Sequence, residues 1–309
     1  MGYSNVYSSL FIIFALAVPG IIFRRLGMAD DRQLKTMSSF MMKIILPAVI
    51  IYSMQQDFSQ EILSGGIKVF GAVFLLFVLV LAFSAVFTSC IGFDRKYAGL
   101  VAFILFFANT GGIGIPVMNM LFGPEAVFYA SAVEMAVDIL IFTAGTIIMQ
   151  FSGNSEKTGI DFKSLISPGM FSIAAGLFLF FTGIKLPGAV NGVLEKLSDA
   201  SLAVTMFVIG GQIGGINFKL LKNKGRLMLI AAAKLCIVPM AMYFISSYVF
   251  NCGQLTSAVL TALFAMPTGG AAAIFAQEYG ADAELASASV FLTDVLCIAT
   301  LPLLILFLR

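Results

Sequence analysis

The sequence predicts an all-α polytopic membrane protein of ten transmembrane helices, built as two inverted five-helix repeats whose fourth and ninth helices are broken and crossed. Three observations predict it. The 309 residues are 60% hydrophobic and 11% charged, with a mean hydropathy of +1.02, whereas a soluble domain carries about 25% charged residues. Apolar stretches of roughly 20 residues, the length that crosses a bilayer, recur with short polar gaps. Runs rich in Gly and Pro interrupt two of these stretches at matching places.

So few charges cannot cover a water-exposed surface, which excludes a soluble enzyme, a secreted disulfide scaffold and a nucleic-acid binder. Histidine is absent, removing histidine proton relays, the commonest zinc ligand, and Ser-His or Cys-His catalysis. Cys90, Cys236, Cys252 and Cys297 form no CxxC pair and read as small apolar residues. No cofactor is expected.

The spans lie near 7–24, 36–54, 67–91, 97–122, 126–150, 164–183, 197–215, 227–250, 255–278 and 284–308. The first lacks a basic leader and runs straight into Arg24 and Arg25, as a retained helix does. In the second, Pro47 predicts a bend. Lys43 there and Lys234 in the eighth are the only cations more than one turn inside a span; each lies about two turns from the cytoplasmic end, where a lysine can snorkel to the headgroups. Direct contact with an anionic substrate is the alternative for both, with Lys43 then lining the cavity.

Loop charges set the orientation. With residue 1 outside, the inner loops hold Arg24, Arg25, Arg32, Lys35, Arg95, Lys96, Lys157, Lys163, Lys219, Lys222, Lys224 and Arg226. The outer side keeps Lys68, Lys185, Lys196 and Arg309. Positive charge favours the cytoplasmic side, so both termini are expected outside.

A gapless shift of 157 residues lays Phe107-Ala108 on Phe264-Ala265, Gly112 on Gly269, Gly123 on Gly280 and Glu125 on Asp282. Residues 1–150 and 164–309 then form two five-span repeats joined by a cytoplasmic linker, 151–163. An odd number of spans forces the second repeat to enter the membrane upside down, as in many secondary transporters.

The fourth span contains Asn109-Thr110-Gly111-Gly112-Ile113-Gly114-Ile115-Pro116 and the ninth Met266-Pro267-Thr268-Gly269-Gly270. Glycine costs a helix interior about 1 kcal/mol and proline about 3, so both runs should open the backbone at mid-membrane. Such openings survive only when buried in protein or lining a wet cavity. Half-helix N-termini attract an anion and C-terminal carbonyls a cation, so Asn109, Thr110, Gly111, Gly112 and Pro116, with Pro267, Thr268, Gly269 and Gly270, are the candidate substrate site. Asn119 and Gln277 follow the breaks and could line the same cavity. Close helix packing through small residues is the competing explanation of both runs.

Three carboxylates lie more than one turn inside a span: Glu134 and Asp138 in the fifth and Asp294 in the tenth. Glu134 and Asp138 are four residues apart and share a helix face. At bilayer depth such groups face the bundle interior and take partners. Ionised, they could bind Na⁺ with backbone carbonyls and Thr or Asn oxygens; protonated, they could carry H⁺. Tying helices together is the alternative role.

These residues resemble the auxin efflux carrier family, whose bacterial members include malate permeases. The likeness runs through Lys43 to Pro47, Asn109 to Pro116 with Phe122-Gly123, Leu197 to Ser201 with Ile209-Gly210, and Ala265 through Gln277 and Gly280 to Leu301-Pro302. The resemblance implies a ten-helix inverted-repeat fold shared with bile acid:sodium symporters, a scaffold-plus-transport-domain elevator, and organic-anion substrates. The long central loop of plant auxin carriers is missing, which favours a compact bacterial carrier. Met266 stands where the second break would match Asn109, so the Asn109 side is expected to dominate polar contacts.

The expected function is secondary transport of a small organic anion, a malate-like or auxin-like carboxylate, across the plasma membrane, coupled to Na⁺, H⁺ or the membrane potential. The partners are that anion and the lipid bilayer, and a homodimer is one assembly this allows. A cation/proton antiporter or channel without organic substrate is the alternative. An intramembrane aspartyl protease would need Asp138 and Asp294, neither of which stands in a Gly-x-Gly-Asp or Tyr-Asp setting.

Overall fold

A computed structural model describes residue 12 and residues 15–55, 60–153, 168–215 and 224–308, and over these the chain is helical. Lys157, Lys163, Lys219, Lys222 and Arg309 of the charge count, and the linker beyond Gly153, lie outside the described residues. Fifteen α-helices are described: α1 (Ala17–Arg25), α2 (Asp31–Phe40), α3 (Leu46–Ser53), α4 (Gln60–Cys90), α5 (Ala98–Phe106), α6 (Ile115–Phe122), α7 (Pro124–Leu140) and α8 (Thr146–Ser152). Then follow α9 (Pro168–Thr182), α10 (Gly188–Gly214), α11 (Lys224–Ala232), α12 (Val238–Phe244), α13 (Gln254–Phe264), α14 (Ala271–Glu278) and α15 (Ala283–Phe307). Among the described residues, five continuous helical runs are long and apolar enough to cross a membrane: Arg32–Ser53, Leu63–Cys90, Pro124–Ser152, Gly225–Val249 and Ala283–Phe307. Shorter apolar helices include Phe171–Thr182 and Gln254–Phe264.

Several runs contain a wide π turn: Met41–Ile45, Thr110–Gly114, Ile141–Gly145, Ala233–Ile237 and Ile245–Val249. Three of the five end one residue before an X-Pro step, at Pro47, Pro116 and Pro239. Proline has no N–H for the helical ladder and its ring clashes with the carbonyl four residues back. Widening the preceding turn carries the helix past the ring without ending it. The bend expected at Pro47 is therefore absorbed as a π turn.

The chain divides into two compact units, interleaved in sequence. One comprises Met1–Ser64, Gly111–Ser131 and Ser167–Lys219; the other comprises Gly65–Thr110, Ala132–Ile166 and Leu220–Arg309. Each draws on both halves of the chain.

In the first unit α1 lies directly on α10. A Cβ on Gly20 would sit 2.1 Å from the Phe207 carbonyl oxygen, and one on Gly210 would sit 1.9 Å from that of Ala17. Backbone meets backbone here because neither glycine has a side chain, which is how transmembrane helices gain van der Waals contact. The ring pair Phe23–Phe207, 5.5 Å apart, continues the seam. Asp30 caps α2 reciprocally, its carboxylate accepting from the Gln33 N–H at 2.7 Å while its own N–H donates to the Gln33 side chain at 2.8 Å. At the other end, Gln55 accepts from the Leu186 N–H at 3.1 Å and donates to Asn191 at 2.7 Å.

In the second unit α5 is the centre: every residue from Leu100 to Phe106 is buried. Phe77, Phe103, Phe106, Phe107 and Phe264 interlock around it at ring separations of 4.3–6.1 Å. A helix apolar on all sides and as short as α5 needs such a surround, since it has no polar face to offer. This core positions the two interruptions.

Candidate functional site

The two interruptions meet inside the second unit through a single antiparallel β-bridge. The Asn109 N–H donates to the Pro267 carbonyl at 2.8 Å and the Gly269 N–H to the Phe107 carbonyl at 2.9 Å, with Ala108 opposite Thr268. The sequence register would have matched Ala108 with Ala265; the pairing lies one turn further on. The first opening is thus Phe107–Asn109, shorter and earlier than the Gly-Pro run suggests. Gly111 and Gly112 belong to the π turn that follows, and Pro116 is already the second residue of α6.

Opening the first helix begins at Phe107, whose φ of −77° and ψ of 85° make an inverse γ-turn. The Ala108 N–H bonds to the Phe106 carbonyl at 2.8 Å instead of reaching Ile104. Thr268 takes the released place: its hydroxyl donates to the Ile104 carbonyl at 3.0 Å. The Thr268 N–H in turn donates to the Thr293 hydroxyl at 3.0 Å, and Thr293 returns its proton to its own helix at Ser289 or Val290. Buried backbone groups demand partners, and here each break supplies those of the other.

Glu134 accepts a short hydrogen bond from the Thr110 hydroxyl, which joins α7 to the first residue after the opening. Asp138 is half-buried one turn along the same face, and Asp294 is half-buried beside Thr293. The π turn Ile141–Gly145 follows on the same helical run, with Gly145 against the Phe107 ring. Among the described residues the side chains of Asn109, Asp138 and Asp294 have no hydrogen-bond partner, and all three are only half-buried. Gly269 is half-buried and Gly270, which precedes α14, is exposed. The structure therefore brings together Asn109, Thr110, Pro267, Thr268, Gly269 and Glu134.

Gly112 and Asn119 belong to the first unit, where the Gly112 carbonyl accepts from Thr205 at 3.4 Å and Asn119 donates to the Ser198 hydroxyl at 3.3 Å. Lys43 and Gln277 have exposed side chains. Among the described residues no cluster of His, Cys, Asp or Glu forms a ready metal cage, so a cation at Glu134 and Asp138 would need backbone and hydroxyl oxygens as well.

Lys234 overturns its sequence reading. It does not snorkel: the residue is 0% exposed, and its Nζ donates to the Phe264 carbonyl at 3.4 Å. It sits on the π turn Ala233–Ile237 among buried Ala231, Ala233 and Leu235. Sequence reasoning singled this lysine out but gave it the wrong surroundings, because the carbonyl that receives it comes from a distant helix end. Cys297 is likewise more than filler, its thiol reaching the Ala265 carbonyl at 3.7 Å.

An uncharacterized transporter of Methanothermobacter thermautotrophicus is 23% identical over 293 residues, covering 94% of each chain. A protein of Rhizobium meliloti, provisionally named a malonate transporter, is 22% identical over 310 residues, covering 96% of this chain and 93% of its own. The chain is thus a multi-pass membrane transporter rather than an enzyme. Matched from residue 5 to residue 305, it belongs to the membrane transport protein family, that of the auxin efflux carriers.

Proposed function

We propose that this transporter is a secondary carrier for a small dicarboxylate or related organic anion, held at the paired openings of the second unit. The observation that carries the reading is Asn109. Its backbone is fixed by Pro267, while its side-chain amide, half-buried and without a protein partner, is free to donate to a carboxylate. An accessible amide with no protein partner keeps its two N–H donors available for a carboxylate. The N-terminal end of α14 behind exposed Gly270 adds a positive dipole end suited to the same charge. The relative named for malonate supports a dicarboxylate.

In this reading the chain crosses the plasma membrane ten times with both termini outside, as two inverted repeats, 1–150 and 164–309. Gly123 and Gly280, matched by the register, share a left-handed φ of 82° and 71° and each precedes a new helix, which supports the repeat. The interleaved units support an elevator, in which the unit carrying both openings moves the substrate. Glu134, Asp138 and Asp294, all outside the first unit, supply the coupling site for Na⁺ or H⁺.

Proteoliposome uptake of malonate, malate and indole-3-acetate tests this. One of them is expected to accumulate, and Asn109→Ala to lower its uptake about tenfold or more while the variant melts like the parent, as loss of a hydrogen bond to a charged group implies. Normal uptake by that variant removes Asn109 from the site. Ion flux that persists with no organic anion present removes the carrier reading altogether.

A further inference from the structure

The crossing leaves two carbonyls at the end of α13 without their helical donors. Phe264 would bond to the N–H of Thr268, which goes to Thr293, and Ala265 to the N–H of Gly269, which goes to Phe107. Both carbonyls face a donor from outside the helix: the Lys234 ammonium on Phe264 and the Cys297 thiol on Ala265. The carbonyl end of a broken membrane helix is where carriers hold a free cation, since the partial negative charge of the helix collects there. Here that end is met by a covalently attached one, sealed from solvent at 0% exposure.

We propose that Lys234 is a tethered cation that takes the place of a free metal ion at the end of α13. The ammonium neutralises the helix end, holds the second opening in shape, and leaves nothing there for sodium to bind. Ion coupling is thereby confined to the acidic side chains Glu134, Asp138 and Asp294. The assignment does not depend on which anion is carried, and its readout is thermal, so it stands or falls apart from the transport reading.

A tethered ammonium can be replaced by a free one. In detergent, Lys234→Ala is expected to melt about 5 °C or more below the parent, and ethylammonium chloride at tens of millimolar to restore much of that loss by mass action while leaving the parent unchanged. Sodium chloride, compared with choline chloride, is expected to stabilise Lys234→Ala more than the parent. Lys234→Met, which keeps the volume and removes the charge, is expected to remain destabilised, and Lys234→Arg to be milder. If neither Ala nor Met yields folded protein while Arg does, the requirement for charge is upheld. A Met variant as stable as the parent overturns the proposal, as does failure of all three to fold, which would mean that the exact side chain and not its charge is needed. Rescue that disappears in an Asp294→Asn background also overturns it, in favour of a lysine held by that acid.

Discussion

The hydroxyl of Thr268 donates to the carbonyl of Ile104 at 3.0 Å, so a residue in the second opening caps the helix that ends at the first. Ile104 is fully buried and has lost its helical donor because the chain turns at Phe107. Removing the hydroxyl alone leaves a buried carbonyl unsatisfied, which costs about 1–3 kcal/mol.

Thr268→Val therefore tests whether the two openings stabilise one another. Its shape is nearly unchanged and its N–H still reaches Thr293. The variant is expected to melt several degrees lower by differential scanning fluorimetry, and Thr268→Ser to recover most of the loss. If Val and Thr are equally stable, the cross-bond contributes nothing and water satisfies Ile104.

A second expectation comes from the glycine seam of the first unit. On α10, Gly210 faces the Ala17 carbonyl so closely that a methyl group would overlap it, whereas Gly192 of the same helix has open space around its missing Cβ. Gly210→Ala must push α1 away, and overpacking costs about 1–3 kcal/mol. Gly192→Ala meets no obstacle and gains about 0.4–1 kcal/mol by restricting the unfolded chain. Opposite shifts in melting temperature from the same substitution on one helix are expected; equal shifts would show that the seam is not tight.

Much of this architecture is written locally. Charge poverty and span length announce the membrane class, and every π turn that ends at an X-Pro step follows from a missing N–H and a ring clash at Pro47, Pro116 or Pro239. Other features are decided at a distance. The first helix opens at Phe107–Asn109, ahead of the glycines, because Pro267 and Gly269 offer backbone partners there, and no local signal at Phe107 foretells them. Likewise nothing near Lys43 or Lys234 separates the exposed lysine from the buried one; the difference is whether a helix end arrives to receive the ammonium.

The acid pair yields the last expectation. Glu134 and Asp138 lie one turn apart on α7, and Glu134 is held by the Thr110 hydroxyl next to the first opening. Two ionised carboxylates on one helix face repel, the more so away from bulk water. A shared cation or proton would remove the repulsion, and the Thr110 hydroxyl bonded to Glu134 would pass that change to the opening. Occupancy of the pair would then be linked to the geometry around Asn109, and linkage is reciprocal between binding sites. Glu134→Gln keeps the hydrogen bond from Thr110 but abolishes the repulsion. It is expected to flatten the dependence of anion affinity on Na⁺ or pH, whichever the parent shows, and to leave binding at saturating ion within about threefold of the parent, a change of less than 1 kcal/mol. Thr110→Val is expected to do the converse, keeping the ion response and weakening its effect on anion affinity. Calorimetric titration of the anion at several ion concentrations reads both. A Glu134→Gln protein with the full ion dependence of the parent would place the coupling ion elsewhere, leaving Asp294 as the remaining acid.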